Sequence, residues 1–354
     1  MDLNLKSYTT LGRTGLRVSP LCLGAMTFGT KWGRGAEEAA SIFNHYVDAG
    51  GNFVDTADGY QGGQSEEMTG QFINGRKLRD QVVLATKFTF NPAQGNPNSG
   101  GNGRKNIYRA LEGSLRRLNT DYIDLYWLHA WDTVTPVDEV VNTLTDLVRA
   151  GKIRYYGFSD TPAWYVARAQ TIAEKDGKER VAALQLEYSL VERNIEREHI
   201  PAAQEFGIGI CPWSPLAGGF LSGKYKRQGD TGAGEGRLTS GAAPFNMFTE
   251  RNWKILEVFL DVARETGKTP AQVALNWVAT QPGITSTIIG ASSLAQLHDN
   301  LAALEFTIPA EVRRRLDEAT ALPLVHPYVF FQGMIQKMIH GGVQVKAWSA
   351  AAGE

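Results

Sequence analysis

Four polar side chains in this sequence have the chemistry to protonate a substrate oxygen. Asp55 and Tyr60 share the segment Phe-Val-Asp-Thr-Ala-Asp-Gly-Tyr, Lys87 ends Val-Leu-Ala-Thr-Lys, and His129 ends Asp-Leu-Tyr-Trp-Leu-His. An unperturbed phenol has a pKa of about 10, and a neighbouring ammonium lowers that pKa by stabilising the phenolate. Lys87 suits that role, Asp55 can hold the ammonium in place, and His129 can hydrogen-bond the oxygen that receives the proton. The set therefore indicates general-acid chemistry.

All four residues lie at or just past the end of an apolar run that is typical of a β-strand. Barrel enzymes carry their catalytic residues at the carboxyl ends of the strands, where these ends meet at one mouth. A single Tyr or Lys in a chain of 354 residues is more often a packing or surface residue. Four that follow predicted strands in order along the chain favour one shared site.

Short apolar or β-branched runs alternate with longer helical patterns, which predicts a parallel sheet with crossover helices. The predicted strands are Leu21–Gly24, Asn52–Asp55, Val82–Lys87, Tyr122–His129, Ile153–Ser159, Ala182–Glu187, Ile208–Trp213 and Ser286–Ile289. The predicted helices include Ala36–Ala49, Ser65–Ile73, Arg104–Leu118, Pro136–Ala150, Ala163–Glu174, Arg197–Phe206 and Pro270–Thr280. We count eight strand–helix pairs, and the fold class we predict is α/β, a (β/α)8 or TIM barrel.

Two further segments flank this alternation. Ahead of the first strand, the runs 8–11 and 16–18 enclose Gly12-Arg13-Thr14-Gly15, which predicts an N-terminal β-hairpin. Residues 1–320 should form the barrel with this hairpin. Residues 321–354 form a C-terminal extension with an aromatic density that is uncommon in a disordered tail. We expect the extension to pack on the barrel, either beside it or at the substrate pocket.

Two long segments interrupt the alternation after a strand, on the side where the site is expected. Asn91–Gly103 consists of turn-forming residues, so it should form a loop on the substrate side or a plain flexible loop. Ser214–Phe248 has several glycines and contains Lys224 and Arg237. We expect it to be able to fold over a bound cofactor.

Composition is that of a soluble enzyme without a nucleic-acid partner. The 36 basic and 37 acidic residues nearly balance, so no charge excess favours binding to nucleic acid. Cys22 and Cys211 lie in apolar runs and should be buried reduced thiols, as suits a cytoplasmic protein. No apolar run approaches the roughly 20 residues of a membrane span, and the first residues lack the regions of a signal peptide.

Several other motifs do not indicate a further functional site. Gly218 to Lys224 fits Gly-x4-Gly-Lys, but Tyr225 stands where a P-loop has the Ser or Thr that holds magnesium. The remaining histidines lack the spacing of metal ligands, so we assign no metal. Four charged residues on the helix Arg104–Leu118 should face solvent, namely Arg109, Glu112, Arg116 and Arg117.

The four polar residues, in their order, belong to a longer set of motifs. Gly157-Phe158-Ser159-Asp160, Gln185, Trp213-Ser214-Pro215-Leu216 and Gly290-Ala291-Ser292 follow them along the chain. Together they resemble the aldo-keto reductase family from about Leu11 to Asn300, and within it the branch of aryl-alcohol dehydrogenases and potassium-channel β subunits. The resemblance implies a barrel whose lower end a hairpin closes, a nicotinamide cofactor across the mouth, and a variable C-terminal segment there.

Cofactor contacts are assigned from chemistry and from this resemblance. Ser159, Asp160 and Gln185 can bind the nicotinamide carboxamide, although Asp160 stands where the family commonly has Asn or Arg. Trp213 would stack on the nicotinamide, and Lys224 suits the pyrophosphate by its charge. The expected contacts are Gly24, Met26, Asp55, Ser159, Asp160, Gln185, Trp213, Ser214, Leu216, Gly218, Lys224, Gly290, Ser292, Gln296 and Asn300. NADPH is expected rather than NADH, even though no Arg or Lys lies between Gly290 and Asn300 to bind its 2′-phosphate.

The function that these observations predict is reversible NADPH-dependent reduction of an aldehyde or ketone, with Tyr60 as the proton donor. A small carbonyl compound or alcohol is the expected partner, and a homo-oligomer is possible. A regulatory subunit with little turnover, resembling potassium-channel β subunits, is the alternative. No long segment precedes the hairpin to block a channel pore, which favours the enzyme. A carboxylate-based hydrolase would need a pair of carboxylates after strands, and Asp55 has Lys87 as its more natural partner.

Overall fold

A computed structural model of the protein describes residues 3–228, 231–240 and 246–345. Its contacts divide the chain into two compact units, Met1–Thr320 and Ala321–Glu354. Among the described residues no helix is both long enough and apolar enough to cross a membrane.

The first unit alternates strands and helices as the sequence predicts. Within the described part the strands are β1 (Thr9–Thr10), β2 (Arg17–Val18), β3 (Leu21–Gly24), β4 (Phe53–Asp55), β5 (Val83–Phe88), β6 (Ile123–Leu128), β7 (Ile153–Ser159), β8 (Val181–Gln185), β9 (Gly209–Ile210), β10 (Lys226–Gln228), β11 (Thr231–Ala233) and β12 (Thr287–Ile289). The α-helices there are α1 (Ala36–Asp48), α2 (Gln64–Gly75), α3 (Arg104–Leu118), α4 (Val137–Arg149), α5 (Ala163–Asp176), α6 (His199–Phe206), α7 (Glu250–Thr266), α8 (Pro270–Ala279), α9 (Leu294–Leu301) and α10 (Ala310–Ala319), with α11 (Gly333–Ile339) in the second unit.

Eight of these strands form one parallel sheet in the order β12-β3-β4-β5-β6-β7-β8-β9. The sheet closes on itself, because the backbone N–H groups of Thr285 and Ile288 donate to Ile210 and Pro212 at 2.8 Å each. The predicted (β/α)8 barrel is thus confirmed. β9 is shorter than the predicted strand Ile208–Trp213, since Pro212 lacks the N–H that would continue the ladder.

The N-terminal hairpin closes the lower end of the barrel. β1 and β2 pair antiparallel, which confirms the predicted hairpin. Its Gly12 has φ +56°, and a Cβ there would lie only 2.6 Å from the backbone nitrogen of Gly209. Only glycine fits this close contact with the bottom of β9. The neighbouring Leu11 and Val18 are fully buried against the barrel interior.

Side chains fill the barrel interior immediately below the mouth. Alternate residues of a strand point to the same face, so inward-facing positions recur every second residue. One cluster of buried side chains includes Cys22, Phe53, Ala85, Trp127, Ala183 and Cys211. The Trp127 ring packs against Gly157, where an added Cβ would lie 2.3 Å from it. The next inward positions, two residues further along the strands, are those of the predicted site.

The segment after β9 contains regular secondary structure that the sequence pattern does not predict. It contains a 3₁₀ turn at Ala217–Ser222 and the small hairpin of β10 and β11. The helix α7 was not among the predicted helices. Its signal is local, because Thr249 caps it by accepting from the Asn252 backbone.

The second unit contains a 3₁₀ turn at Tyr328–Phe330 followed by α11. Two ring pairs order it internally, His326 with Phe330 at 5.7 Å and Tyr328 with Phe331 at 5.8 Å between centroids. The expected packing of this extension on the barrel stays a prediction.

Candidate active site

A buried ion pair lies at the centre of the barrel mouth. Lys87 on β5 is fully buried, and its Nζ donates to Oδ2 of Asp55 and, at 2.8 Å, to the carbonyl of Thr56. The other carboxylate oxygen, Oδ1, accepts from Nε2 of Gln185 at 3.1 Å. An ammonium in the protein interior stays charged when it is paired and hydrogen-bonded. Burial lowers the pKa of Lys87, but the charges and hydrogen bonds of Asp55 and Tyr60 together outweigh it, so the net direction is upward.

Tyr60 begins a 3₁₀ turn that follows β4 and places its ring beside the ammonium. The Lys87 Nζ lies 5.0 Å from the centroid of the Tyr60 ring. The sequence predicts that Lys87 lowers the pKa of Tyr60, and this prediction is only half right. Burial raises the pKa of the phenol by more than Lys87 lowers it, so the net direction is upward. At neutral pH the phenol therefore keeps its proton, as an acid must.

His129 follows β6 and faces Tyr60 across the mouth. The two ring centroids are 5.7 Å apart and the planes are nearly perpendicular, at 81°. Burial, and then the charge of Lys87, lower the pKa of His129 well below its usual value, so the imidazole is neutral. Its Nδ1 is buried and has no hydrogen-bond partner among the described residues. Phe90 packs edge-on against the same ring at 4.7 Å.

Two side chains in the first turn of α2 fix Tyr60 relative to the ion pair. Ser65 bonds with Oγ1 of Thr56 at 2.7 Å and donates to the carbonyl of Ala25 at 2.6 Å. Glu66 is fully buried and accepts from Oγ1 of Thr86 at 2.6 Å. Thr56 and Thr86 are the sequence neighbours of Asp55 and Lys87. The helix that follows Tyr60 is thus bonded to the strands that carry the pair.

The charged face predicted for α3 is partly wrong. Glu112 and Arg116 are exposed, as expected. Arg117 instead donates from Nε to Oε2 of Glu66 at 2.6 Å, because a carboxylate with no exposed surface requires a cation. Arg109 turns inward and bonds Oδ1 of Asn106. Glu66 was missed, yet Gly70 and Ile73 share its helical face at positions i+4 and i+7, and that spacing predicts a buried side chain.

The expected carboxamide-binding residues lie together at the ends of β7, β8 and β9. Nε1 of Trp213 donates to Oδ1 of Asp160 at 3.2 Å, and Ser159 donates to Oδ2 of the same carboxylate at 3.4 Å. Asp160 remains exposed at the mouth, has φ +44°, and has a pKa raised by desolvation. Gln185 differs from the others in this set, because its side-chain amide nitrogen donates to Asp55 and so is already hydrogen-bonded within the protein.

The loop after β9 carries the expected phosphate contacts. Ser214, at φ +55°, turns the chain and accepts from the Gly218 backbone at 3.1 Å. Leu216 caps the following turn, accepting from the Gly219 N–H at 2.9 Å. Lys224 is exposed, and its Nζ lies against Gly236. A Cβ added to Gly236 would be 2.6 Å from this nitrogen. A Cβ at Gly219 would likewise lie 3.2 Å from this nitrogen, so the cation lies beside the 3₁₀ turn Ala217–Ser222.

The remaining expected contacts follow β12 and β3. Ser292 donates from its backbone and its hydroxyl to Oε1 of Gln296, at 2.8 Å each, and Nδ2 of Asn300 donates to the Gly290 carbonyl at 3.0 Å. On the adjacent strand β3, Gly24 pairs with Asp55. The Met26 carbonyl accepts from Gln61 at 3.4 Å.

These positions form a continuous arc, because β7, β8, β9, β12 and β3 are neighbours around the barrel. The arc begins with amide and carboxylate groups beside the ion pair and ends with hydroxyls and amides near α9, with the Lys224 ammonium between. A donor set of this kind fits an extended dinucleotide with a carboxamide at one end and phosphates in the middle. The residues present therefore suit a nicotinamide cofactor.

The described residues contain no group of three or more His, Cys, Asp or Glu that could hold a metal ion. Cys22 and Cys211 are free and buried, as predicted, and burial raises the pKa of both thiols.

A closed parallel barrel with an acid, an ammonium and a carboxylate at the carboxyl ends of its strands is the architecture of a (β/α)8-barrel enzyme. The chain belongs to the aldo/keto reductase family, whose model matches residues 20–321, and it is accordingly a nicotinamide-dependent oxidoreductase. This confirms the family resemblance found in the sequence.

Curated relatives agree over most of the chain. An uncharacterised oxidoreductase of Bacillus subtilis is 40% identical over 321 residues, which is 88% of this chain and 95% of that protein. The aryl-alcohol dehydrogenase (NADP(+)) of Phanerodontia chrysosporium is 33% identical over 342 residues, 92% of this chain and 89% of its own. The norsolorinic acid reductase of Aspergillus flavus is 33% identical over 326 residues, which is 89% of this chain and 81% of that protein.

Proposed function

We propose that this protein uses NADPH to reduce an aromatic or otherwise bulky aldehyde or ketone to the alcohol, reversibly, with Tyr60 as the proton donor. The observation that carries the proposal is the juxtaposition of the Tyr60 ring with the Lys87–Asp55 ion pair on one side and neutral His129 on the other. The aromatic edge of the mouth supports the substrate class, since Phe90 packs on His129 and the Trp131 and Trp164 rings are in contact.

When bound, the reduced nicotinamide supplies the hydride that the carbonyl carbon accepts. The residues of this chain supply the rest. Tyr60 donates its proton to the carbonyl oxygen, and the Lys87 ammonium stabilises the phenolate that forms. Asp55 and Gln185 hold Lys87 in place. In the reverse direction the phenolate accepts the proton of the alcohol.

Neutral His129 orients the substrate. Because its pKa is lowered, the imidazole does not compete with Tyr60 as an acid at neutral pH. One nitrogen donates a hydrogen bond to the carbonyl oxygen while the phenol binds it from the other side. Two donors to one oxygen fix the reacting carbon over the cofactor, and they strengthen as negative charge develops there.

NADPH is proposed over NADH on the strength of the NADP(+)-named relative. Trp213, held by Asp160, would form the wall against which the nicotinamide stacks. Ser159 and Asp160 would meet the carboxamide, the carboxylate accepting from its NH₂ group.

The test is a panel of aldehydes and ketones assayed by the loss of NADPH absorbance, repeated with Tyr60→Phe. This change removes the acid and keeps the ring, so turnover should fall by about 10²–10⁴-fold, the usual contribution of general acid catalysis. The Kd for NADPH, measured by quenching of protein fluorescence, should stay within about twofold.

Tyr108→Phe is the matched control, because Tyr108 lies exposed on α3. Tyr108→Phe should leave both the turnover and the Kd for NADPH unchanged. Turnover of Tyr60→Phe within tenfold of the parent would show that another group donates the proton. NADPH binding with no turnover of any carbonyl would favour a cofactor-binding regulatory subunit instead.

A further inference from the structure

A cavity of about 370 Å³ lies beside the mouth, between the segments that follow β6, β7 and β8. Trp131 forms one wall of it, Asp160 and Thr161 a second, and Glu187 and Glu192 a third. The cavity is not used in the mechanism described above, although Asp160 belongs to both.

Two residues that line this cavity each carry a polar side-chain atom without a hydrogen-bond partner within the described residues. Thr161 is 3% exposed, and its hydroxyl oxygen has no partner. Oε1 of Glu187 is likewise buried and without a partner. Buried polar atoms are nearly always hydrogen-bonded in folded proteins, so two such atoms on one cavity indicate a place where a ligand supplies the bond.

The charges around the cavity define which ligand group would fit. Burial, then Glu192 and Asp160, raise the pKa of Glu187 to about 7, while Arg237 acts in the opposite direction. His199 does not offer a free donor at Nε2, because that nitrogen bonds the Thr161 carbonyl at 2.8 Å. A cavity that presents carboxyl oxygens and a threonine hydroxyl is complementary to a group that donates hydrogen bonds.

The cavity is also within reach of the reaction centre. Asp160, which lines the cavity, donates from its backbone N–H to the Gln185 carbonyl at 3.2 Å, and the Gln185 side chain bonds Asp55 of the ion pair. Trp131 follows His129 by two residues, and its backbone donates to the Asp160 carbonyl at 3.3 Å. A substrate whose carbonyl oxygen lies between Tyr60 and His129 would therefore extend past Trp131 into the cavity.

We propose that this cavity is a substrate subsite that selects carbonyl compounds bearing a hydroxyl group at the end remote from the carbonyl. The hydroxyl donates to Glu187 and accepts or donates at Thr161. The inference rests on the proposed carbonyl reduction and names the substrate class for it.

A matched pair of substrates tests the subsite. 4-(Hydroxymethyl)benzaldehyde and 4-ethylbenzaldehyde have the same shape and the same number of heavy atoms, and differ in one hydroxyl. At pH 8, where Glu187 with its pKa of about 7 is mostly ionised, the wild-type enzyme should favour the hydroxymethyl compound by about 10- to 100-fold in kcat/KM, the range that a hydrogen bond to a charged group gives. Glu187→Leu should reduce this preference to about threefold or less and leave turnover of the ethyl compound within about threefold.

Glu205→Leu, an exposed position on α6, is the matched control and should keep the full preference. If Glu187→Leu fails to fold, Thr161→Val removes the second acceptor with little change of shape and should lower the preference in part. Equal turnover of both aldehydes by the wild type would overturn the inference and leave the proposed function standing. Turnover of neither aldehyde would refute both. A change of more than threefold in the NADPH Kd of Glu187→Leu would assign the cavity to the cofactor and overturn the inference.

Discussion

Gln185 donates a hydrogen bond to Oδ1 of Asp55 at 3.1 Å, which joins β8 to β4 across the mouth of the barrel. Since Lys87 occupies the other carboxylate oxygen, Asp55 is bonded on both sides. The ammonium that would stabilise a Tyr60 phenolate in the proposed mechanism is thus held by a carboxylate fixed at both oxygens. A residue expected to contact the cofactor also has a direct contact with the ion pair.

Replacing Gln185 should separate these two contacts. Gln185→Leu leaves one oxygen of Asp55 without its donor, and we expect kcat to fall about tenfold because the pair is less firmly positioned. Gln185→Glu keeps the shape and places a second carboxyl beside Asp55, where one of two adjacent carboxyls holds a proton at raised pKa. Its kcat should approach the parental value at pH 5–6 and fall above that range. The absence of any rescue at low pH would contradict this role.

Lys224 should act on cofactor affinity and not on the chemical step. Lys224→Ala should raise the Kd for NADPH by about tenfold and leave kcat at saturating NADPH within about twofold, since a cation on phosphate binds ground and transition states alike. Added salt should reduce the difference between the two proteins. Lys226→Ala, on the exposed strand β10, is the control. Unchanged affinity for both NADPH and NADH would mean that this loop does not bind phosphate.

Asp58 should make stability depend on pH. Burial, then Glu66, raise its pKa to about 7, so the folded state binds a proton that the unfolded state releases above its usual pKa of about 4. The stability that Asp58 contributes is therefore present at low pH and is lost as the pH rises through about 7. Asp58→Asn should match the wild type in free energy of unfolding at pH 4, and exceed it at pH 8 by a few kcal/mol at most, at about 1.4 kcal/mol per pH unit. Urea titrations at pH 4 and pH 8 measure the free energy of unfolding of both proteins. A difference between them that does not change with pH would contradict the prediction.

Glu66 and Glu67 offer a matched test of the buried ion pair behind the site. Glu66→Gln leaves Arg117 without its carboxylate, and the free energy of unfolding should fall by about 1–3 kcal/mol because the Arg117 side chain is still 28% exposed and can be hydrated. Glu67→Gln, one residue further along and exposed, should change it by less than about 0.5 kcal/mol. Equal losses would show that the effect belongs to the helix end and not to the pair.

The strand order and the inward-facing residues could be predicted because both follow from local periodicity. Asp55 ends β4, Lys87 is the last but one residue of β5 and His129 directly follows β6, and period two places them on one interior face. The direction of the Tyr60 pKa could not be predicted in this way. It depends on how much protein surrounds the phenol, and burial is a sum over elements that are distant in sequence.

The hydrogen-bond partners of two polar side chains could not be predicted from local sequence either. Arg117 was expected in solvent because its own helix gives it a charged face, and its contact with Glu66 spans 51 positions of sequence. Gln185 was assigned to the cofactor because it ends a strand, and only the closed barrel brings it to Asp55. Long-range pairs of polar groups are fixed by the packing of layers and not by the sequence around either member.

The hairpin beneath the barrel has a consequence for the timing of the reaction. With Gly12 against β9 and Trp127 across the interior, the barrel is a cup and not a tube. Under the proposed mechanism, the proton that Tyr60 loses in each turnover would return from bulk water by the route through which the alcohol departs. Reprotonation of Tyr60 would then wait for the product to leave, and a slowly released alcohol would delay it.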